Sequence, residues 1–209
     1  MDKLEEKPLQ IKTFLLSQPE IIPTALPKIK DGSSSGMLVL GFNEGLPSMQ
    51  IDDLLQDQNG MIWFICNGNL YRYNGAFTEH FLLEGKANLM KITEDRQGLI
   101  WLCADQGYGL YVIDIKAGIQ WHIDIQYSLF DIFQDHSGFY WIGSRIAGVF
   151  IIDWSKRTIK NFRKYAADNE KNTVEDIMED RQQRIWLAGA DGIGIINKTQ
   201  KKIQFLTRS

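Results

Sequence analysis

The stretch "DRQGLIW", residues 95–101, has three near copies elsewhere in the chain. They are "DQNGMIW" at 57–63, "DHSGFYW" at 135–141 and "DRQQRIW" at 180–186. In every copy the Asp stands six residues before the Trp, and successive Trp residues lie 38, 40 and 45 positions apart. Duplicated modules with loops of variable length produce such small differences in spacing. A period of about 40 residues indicates a repeat architecture.

Each repeat has the pattern of four short strands. The second reads "NLMKITED", "LIWLCA", "GLYVIDI" and "IQWHID", with β-branched and aromatic residues between Gly, Asp and Asn. Asp and Gly at the first and fourth positions suit a type I turn, in which the carboxylate accepts hydrogen bonds from nearby backbone N–H groups. The Trp then lies at a constant depth in the second strand, where it fills the gap between sheets and its N–H needs a polar partner. The residues assigned to this structural motif are Asp57, Gly60, Trp63, Asp95, Gly98, Trp101, Asp135, Gly138, Trp141, Asp180 and Trp186.

The fourth copy differs because Gln183 replaces the turn glycine. A non-glycine residue in the left-handed conformation costs about 1 kcal/mol, so the sequence predicts a modified or looser turn there. The flanking "VEDIMED" and "IWLAGADGIGIIN" still fit the repeat.

Four-stranded antiparallel units at this spacing predict an all-β fold, a β-propeller with close to no helix. A β-sandwich would also have short strands, but it would not require the same Asp-to-Trp spacing four times. The predicted blades cover residues 48–84, 86–125, 127–165 and 172–207 of a propeller domain spanning 37–209.

Residues 1–36 are predicted to form a linker or strap. Four of the five prolines fall within residues 7–36, and the segment ends in "GSSSG". Its apolar pieces "IKTFLL" and "EIIP" could lie against the propeller or add a strand. Residues 37–42 resemble an outer strand that closes a blade, yet "KIQFL" at 202–206 already serves the fourth blade. We therefore favour four blades of a larger propeller; the alternatives are a closed four-bladed ring and pairing of the open edges with another molecule.

The overall composition is that of an ordinary globular protein, with 44% apolar residues and a formal net charge of -3. The absence of a basic stripe argues against nucleic-acid binding. No apolar run has the length of a membrane span, and "MDKLEEKPLQ" lacks the apolar region of a signal peptide, so we expect a cytosolic protein or a piece without its targeting segment. Cys66 and Cys103 should face opposite sides of their strands as buried thiols, and their redox compartment stays open.

The repeated D-x-x-G-x-x-W, followed by "GNLYRYNGAF" in the first blade, resembles the two-component regulator propeller repeat. "NEGLPSMQIDDLLQDQNGMIWFICNGNLYRYNG" is similar to that repeat almost throughout. Blades two and three match at the turn, the Trp and the terminal Asp114 and Asp153, whereas blade four departs at Gln183 and Asn197. The resemblance covers residues 37–207.

This resemblance implies the sensor domain of a bacterial two-component receptor, in the periplasm or otherwise outside the cytoplasm. Such propellers usually have seven blades and precede a membrane span and a histidine kinase. The present sequence has four repeats and neither of those segments, so signalling output would belong to a kinase domain elsewhere in a parent protein.

Catalytic and metal-binding motifs are not evident. His80 and His122 fall in predicted outer strands and His136 in a turn, without a second ligand at metal spacing. The turn aspartates each belong to a separate blade. "GADGIGI" at 189–195 precedes a strand and not a helix, so it is not a phosphate-binding loop. We therefore expect a non-enzymatic protein without catalytic residues, metal or cofactor.

Propeller ligands usually bind at the end formed by the loops between second and third strands and between blades. Arg145 is the strongest candidate there, because its planar guanidinium suits a carboxylate or sugar hydroxyls; a salt bridge to Asp105 or Asp191 is the structural alternative. The predicted ligand-binding residues are Asn67, Asn88, Asp105, Tyr108, Tyr127, Arg145 and Asp191.

Three functions remain in competition at this point. The first is a sensor module that binds an unknown small molecule or glycan. The second is an enzyme similar to virginiamycin B lyase propellers, which would need a His and a carboxylate-held metal at the channel. The third is a self-associating scaffold that pairs through its open blade edges.

Overall fold

The computed structural model describes residues 5–29, 36–48, 50–85, 87–163, 172–197 and the backbone of 202–206. The fold is all-β, with 54% strand and 2% helix, and consists of antiparallel sheets arranged as the blades of a propeller. The predicted fold class is therefore confirmed. Within the described ranges, no helix is long and apolar enough to cross a membrane.

Four blades follow one another along the chain, each with its first strand innermost. Blade 1 contains β6 (Ile51–Gln56), β7 (Ile62–Cys66), β8 (Asn69–Tyr73) and β9 (Phe77–Phe81). Blade 2 contains β10 (Leu89–Glu94), β11 (Ile100–Ala104), β12 (Leu110–Asp114) and β13 (Ile119–Ile123). Blade 3 contains β14 (Leu129–Gln134), β15 (Tyr140–Ser144), β16 (Val149–Asp153) and β17 (Thr158–Phe162). Blade 4 contains β18 (Asp176–Glu179), β19 (Arg184–Gly189), β20 (Gly192–Asn197) and β21 (Lys202–Leu206).

The N-terminal strap adds a fifth strand to three of these blades. Its strands are β1 (Glu6–Pro8), β2 (Ile11–Leu15) and β3 (Glu20–Pro23), which pair antiparallel with β17, β13 and β9. The strap thus runs around the outside from blade 3 to blade 1, against the order of the blades. It covers three sheet edges that would otherwise expose unpaired backbone groups.

The predicted outer strand at 37–42 is short in the structure. Leu38–Val39 forms β5, which pairs with the next strap strand, β4 (Lys28–Ile29), in a two-stranded sheet. A 3₁₀ turn at Phe42–Glu44 follows and leads into blade 1. Among the described residues, β5 has no neighbour on its other side. β4 and β5 therefore form the same kind of pair as in blades 1–3, a strap strand against an outer strand. This pair lies on the side of blade 1 that faces away from blade 2.

In the D-x-x-G-x-x-W motif, one carboxylate accepts hydrogen bonds from both the turn backbone and the indole. In blade 2, Asp95 Oδ1 accepts hydrogen bonds from the backbone N–H groups of Gln97 and Leu99, at 2.8 and 2.9 Å. Its Oδ2 accepts the indole N–H of Trp101 at 2.8 Å. The same indole bond occurs in the other blades, at 2.8 Å to Asp57, 2.8 Å to Asp135 and 2.7 Å to Asp180. The constant spacing of six therefore lets one side chain cap the turn and hold the indole.

The turn of blade 4 keeps this geometry, and the prediction of a modified turn is wrong. Gln183 has φ 62, in the left-handed region that the turn glycines of the other blades occupy. Its N–H donates to Asp180 O at 2.8 Å, as Gly98 N–H does to Asp95 O at 3.0 Å. The bonds from Asp180 to Trp186 and the turn backbone hold the conformation despite its cost.

Replacing Gln183 with glycine should therefore stabilise the protein by about 0.5–1 kcal/mol, because the left-handed backbone no longer opposes a side chain. Chemical denaturation measures the change. Gln97→Gly, one position earlier in the turn of blade 2, is the control, and should not stabilise. An unchanged or lowered stability of Gln183→Gly would contradict the interpretation.

Blades pack in a fixed sense, with the face that carries the Trp (the Trp face) against the opposite face of the next blade. The Trp face of blade 1 contributes Trp63, Ile65 and Leu70 to a buried cluster with Ile100, Leu102 and Tyr111 of blade 2. The junctions from blade 2 to 3 and from blade 3 to 4 repeat this arrangement around Trp101 and Trp141. The core therefore lies between blades, as the sequence predicts for its tryptophans.

Both cysteines are buried and free, as predicted. Cys66 lies in the cluster on the opposite face of blade 1, and Cys103 in the cluster beneath the Trp face of blade 2. Burial raises the pKa of both thiols, that of Cys103 most. These cysteines are packing residues.

Candidate functional site

The two ends of the propeller have different chemistry. The D-x-x-G turns and the turns between third and fourth strands form one end, which we call the turn end. The loops between second and third strands and the connections between blades form the other, which we call the loop end. All the predicted ligand-binding residues lie at the loop end.

Loops at the loop end are joined into a band by backbone hydrogen bonds. In the first half of the band, Leu89 N–H donates to Gly68 O at 3.0 Å and Asp105 N–H to Asn88 O at 2.8 Å. Asn88 also lies against Gly68, where an added Cβ would collide with Asn88 Oδ1. The structure therefore brings the Asn67–Gly68 turn, Asn88 and Asp105 together.

The second half of the band centres on Arg145. Its N–H donates to Ser128 O at 3.0 Å, and its carbonyl accepts the hydroxyl of Thr173. Ser128 Oγ also accepts the N–H of Gln106 at 3.2 Å, which links the loops of blades 2 and 3. The Arg145 backbone is thus fixed while its side chain is exposed.

The side chain of Arg145 has none of the structural partners considered for it. None of the ion pairs formed within the described ranges involves Arg145, so the salt bridge to Asp105 or Asp191 is not observed. Asp191 lies instead in a cleft between blades 3 and 4, lined also by Asn172, Thr173 and Val174. A fixed backbone with an exposed guanidinium suits recognition of an anionic or hydroxyl-rich ligand.

The two predicted tyrosines lie at different blade junctions. Tyr108 packs against the cluster between blades 1 and 2, and its carbonyl is 2.8 Å from His122 Nε2. Tyr127 packs between blades 2 and 3, where its ring lies 5.8 Å from Phe150 and its hydroxyl accepts from Arg163 Nη2 at 3.4 Å. The seven predicted residues are therefore spread over three blade junctions.

Sequence reasoning missed the residues that hold the loop end together. Ser128 and Thr173 carry no motif, and their role depends on which loops the fold places side by side. Asn161 and Arg163 were also missed; Arg163 Nε donates to Asn161 Oδ1 at 2.6 Å beside Tyr127. Asn161 lies in β17 and Arg163 directly follows it, and their spacing of two, which puts both on one face of an extended chain, is the signal that could have indicated this pair.

Two of the histidines are engaged away from the loop end, whereas His122 lies against the carbonyl of Tyr108 there. His80 Nδ1 lies 3.2 Å from Glu20 Oε2 of the strap, and His136 Nδ1 lies 2.6 Å from Glu179 Oε1 at the turn end. In the part of the chain that the structure describes, no group of three or more His, Cys, Asp or Glu side chains is placed to hold a metal ion.

Asp131 is a carboxyl group whose pKa is strongly raised by its surroundings. Burial raises its pKa to about 6, although hydrogen bonds from the backbone of Ile177 and Ile132 and the charge of Lys91 act to lower it. Its Oδ2 accepts the N–H of Ile177 at 2.8 Å and so links the innermost strands of blades 3 and 4. Asp176 is the nearby acidic group that raises the pKa further.

This carboxylate should make the protein more stable as the pH falls from 8 to 5. Between the ordinary pKa of Asp and about 6, the folded state binds the proton more tightly than the unfolded state. Asp131→Asn keeps an oxygen acceptor for Ile177 and removes the charge, so it should stabilise the fold at pH 8 more than at pH 5. Unfolding free energies at both pH values test this; a gain that is equal or larger at pH 5 would contradict it.

No protein-family model and no curated protein matches the sequence, and the similarities are to solved structures. The extracellular domain of BT4673, from a one-component or hybrid two-component system of B. thetaiotaomicron, matches with a TM-score of 0.61 and 19% identity, over 76% of this chain and 25% of that one. The extracellular domain of the hybrid two-component system BT3049 of the same organism matches with a TM-score of 0.64 and 13% identity, over 96% and 30%.

A third similar structure is virginiamycin B lyase from Staphylococcus aureus. It matches with a TM-score of 0.66 and 16% identity, over 97% of this chain and 74% of the lyase. The present chain thus spans about a quarter of BT4673 and three quarters of the lyase. At these identities the similarity concerns the fold. The chain is a β-propeller, and its resemblance to the propellers of two-component sensors is confirmed at the level of the three-dimensional structure.

Proposed function

We propose that the chain is a non-catalytic ligand-binding module of a bacterial sensor receptor, and that its ligand is a small molecule or glycan fragment carrying a carboxylate. The observation that supports this most is the exposed Arg145, held by its backbone at the loop end. Its guanidinium offers two parallel N–H groups to a carboxylate, and sugar hydroxyls can reach the adjoining Ser128, whose carbonyl accepts the N–H of Arg145.

The similarity to extracellular domains supports a location outside the cytoplasm. Loops on a rigid scaffold commonly carry binding residues, because their side chains can vary while the sheets hold their positions. In the parent receptor, ligand binding here would be passed to a kinase output domain. Signalling of this kind needs only binding, which agrees with the structural engagement of the histidines and turn aspartates.

Titration of oligosaccharides containing galacturonic or glucuronic acid, beside their neutral counterparts, tests the proposal by calorimetry. The acidic compounds should bind and the neutral ones should bind at least tenfold more weakly. Arg145→Ala should weaken binding by at least about tenfold, the loss of about 1.4 kcal/mol expected for a charged hydrogen-bond pair.

Lys116→Ala is the matched control, since Lys116 is an exposed cation at the turn end. It should bind like the unmodified protein. Equal affinity of Arg145→Ala, or equal weakening by Lys116→Ala, would contradict the assignment of the loop end as the site.

Enzymatic activity similar to that of virginiamycin B lyase is the second candidate function. The structural match to the lyase over almost the whole of this chain favours it. This function predicts turnover that depends on a divalent metal. Turnover of quinupristin, the compound bound to a catalytically inactive form of that lyase, would favour the enzyme over the sensor if a chelator abolishes it.

A further inference from the structure

Each pair of neighbouring blades leaves a cleft at the loop end, where the connection between the blades passes over the junction. The cleft between blades 1 and 2 has a volume of about 120 Å³, and the cleft between blades 3 and 4 about 40 Å³. The cleft between blades 2 and 3, which we call the middle cleft, has a volume of about 390 Å³, within the range of small-molecule sites. The described residues that line it are Asp124, Ile125, Gln126, Tyr127, Phe150 and Ile159.

The length of the connection between blades is one reason for the larger volume. The link from β9 to β10 has seven residues, 82–88, whereas the link from β13 to β14 has five, 124–128. In the longer link, Gly85 lies against the Tyr111 hydroxyl, since an added Cβ at Gly85 would be 3.4 Å from that oxygen. The shorter link has two residues fewer with which to fill its junction.

The aromatic residue on the third strand is the other reason. Tyr111 pairs with Leu102, the residue after the repeat Trp of blade 2, and Phe150 pairs with Ile142 at the same place in blade 3. The two aromatic side chains therefore occupy equivalent positions, each in the cluster shared with the preceding blade. Phe150 lacks the hydroxyl that Tyr111 extends toward the link, so this volume is left to the middle cleft.

The walls of the middle cleft are apolar and held in place. Phe150 is 7% exposed and Ile125 4%, and both belong to the buried cluster of this junction. Tyr127 and Ile159 pack against the same cluster. The rings of Tyr127 and Phe150 lie 5.8 Å apart at an angle of 36°. An aromatic group that enters the cleft therefore meets preformed ring surfaces, and little conformational freedom is lost in ordering them.

A carboxylate stands at the mouth of the middle cleft. Asp124 is exposed, and within the described ranges its side chain takes part in no ion pair. Its backbone N–H donates to Gln10 O of the strap at 3.1 Å, and the preceding strap residue, Leu9, is buried in the cluster of this junction. The strap thus fixes the backbone of Asp124 while the carboxylate remains available to a ligand.

The charge at the cleft favours a cation. Asp124 is the charged residue among the described residues that line it. The Arg163 guanidinium lies 5.8 Å from the centre of the Tyr127 ring, but it donates to Asn161 Oδ1 at 2.6 Å and to the Tyr127 hydroxyl at 3.4 Å. Blade 1 has Leu82 at the position of Asp124, directly after its fourth strand. A carboxylate beside apolar walls is therefore particular to the middle cleft when these two junctions are compared.

We propose that the middle cleft binds a small primary amine with an aromatic body. The aromatic body packs among the four apolar side chains of the walls, and the ammonium group donates to the Asp124 carboxylate at the mouth. The side-chain oxygen of Gln126 is a second acceptor there. This site takes a ligand of opposite charge from the one proposed for Arg145, so it goes beyond the proposed function.

Calorimetric titration of the full chain with phenethylamine at neutral pH tests this site. Phenethyl alcohol is the matched ligand, because it has the same ring and a neutral hydroxyl in place of the ammonium group. The amine should bind at least about tenfold more tightly than the alcohol, since a charged donor forms the stronger bond to a carboxylate. Equal affinity for the two compounds, or no detectable binding of the amine at millimolar concentration, would overturn the proposal.

Two variants place the ligand in the middle cleft. Asp124→Asn removes the charge at nearly constant size, so it should weaken amine binding at least about tenfold and leave alcohol binding unchanged. Phe150→Tyr adds the hydroxyl that Tyr111 carries at the equivalent position and reduces the volume of the cleft, so it should weaken both ligands at least about fivefold. Circular dichroism and melting curves should show that both variants stay folded.

Asp176→Asn is the control for Asp124→Asn, because Asp176 is an exposed aspartate of blade 4 that does not line the cleft. It should bind the amine like the unmodified protein. Amine binding that is unchanged in Asp124→Asn and Phe150→Tyr, or equally weakened in Asp176→Asn, would overturn the assignment of the middle cleft.

The two proposals concern ligands of opposite charge and different residues, so their failures are distinguishable. Amine binding without binding of the acidic oligosaccharides would support the middle cleft as a site and contradict the proposed function alone. Binding of the acidic oligosaccharides without amine binding would overturn the present proposal alone.

Discussion

Replacing Trp101 with alanine should lower the free energy of unfolding by about 3–5 kcal/mol, the loss typical of truncating a large aromatic core residue. Trp101 is fully buried. Its ring stacks on Tyr140 of blade 3 with centroids 3.9 Å apart and meets the edge of Trp154 at 5.1 Å. Removal of the ring leaves a cavity between two blades that both keep their strand pairing, so the walls cannot close easily.

Chemical denaturation at pH 7 measures this loss. Trp101→Phe is the matched control, since it keeps an aromatic six-membered ring but removes the indole N–H together with part of the indole volume. Its loss should be smaller than that of the alanine variant, because a smaller cavity accompanies the lost bond to Asp95. A loss below about 1 kcal/mol for the alanine variant would mean that Trp101 does not hold the junction.

Replacing Asp95 with alanine should cost about 3–5 kcal/mol, because it leaves several buried donors without an acceptor at once. Asp95 is 2% exposed. Besides the indole and the two turn N–H groups, its Oδ2 accepts the hydroxyl of Tyr140 at 2.6 Å. The carboxylate therefore joins the turn of blade 2 to the second strand of blade 3.

Tyr140 offers a direct measure of that link between blades. Burial, together with the hydrogen bond and charge of Asp95, raises its pKa far above the ordinary value for tyrosine. Tyr140→Phe in the Asp95→Ala background should cost less than in the unmodified protein, since the hydroxyl has already lost its acceptor. Additive losses would contradict the coupling between these two residues.

Asp114→Ala is the control for Asp95→Ala, since it removes an aspartate of the same blade from an outer turn. Among the described residues, Asp114 Oδ1 accepts a single hydrogen bond, from the exposed backbone N–H of Ala117 at 2.9 Å. Water can replace this acceptor, so the loss should stay below about 1 kcal/mol. Similar losses at Asp95 and Asp114 would show that burial of the carboxylate does not matter.

The blades themselves were predictable because their determinants are local. Asp and Trp six residues apart meet within one hairpin, so the spacing alone indicates both the turn and the depth of the indole. The same locality explains why the partner of each indole could have been found. A carboxylate with two oxygens, one facing the turn and one facing the next strand, is the nearest polar group that each repeat supplies.

The departure at Gln183 shows the limit of that reasoning. Propensity correctly assigns a cost to the left-handed backbone, but it does not include the bonds that Asp180 makes to Trp186 and to Arg184 in the same turn. Those bonds keep the turn in its usual form, and the side chain tolerates the conformation.

The sequence by itself determined the all-β repeat, the buried positions of Trp63, Trp101, Trp141 and the cysteines, and the loops in which ligand-binding residues should be sought. Only the tertiary structure decided that the strap adds a fifth strand to blades 1–3, that Arg145 has no ion pair with another described residue, and that Tyr108, Tyr127 and Asp191 lie at separate junctions. The physical reason is the separation along the sequence between the residues that interact. Hairpins are set by neighbours a few residues apart, whereas junctions and edges depend on which strands, distant in sequence, the propeller places side by side.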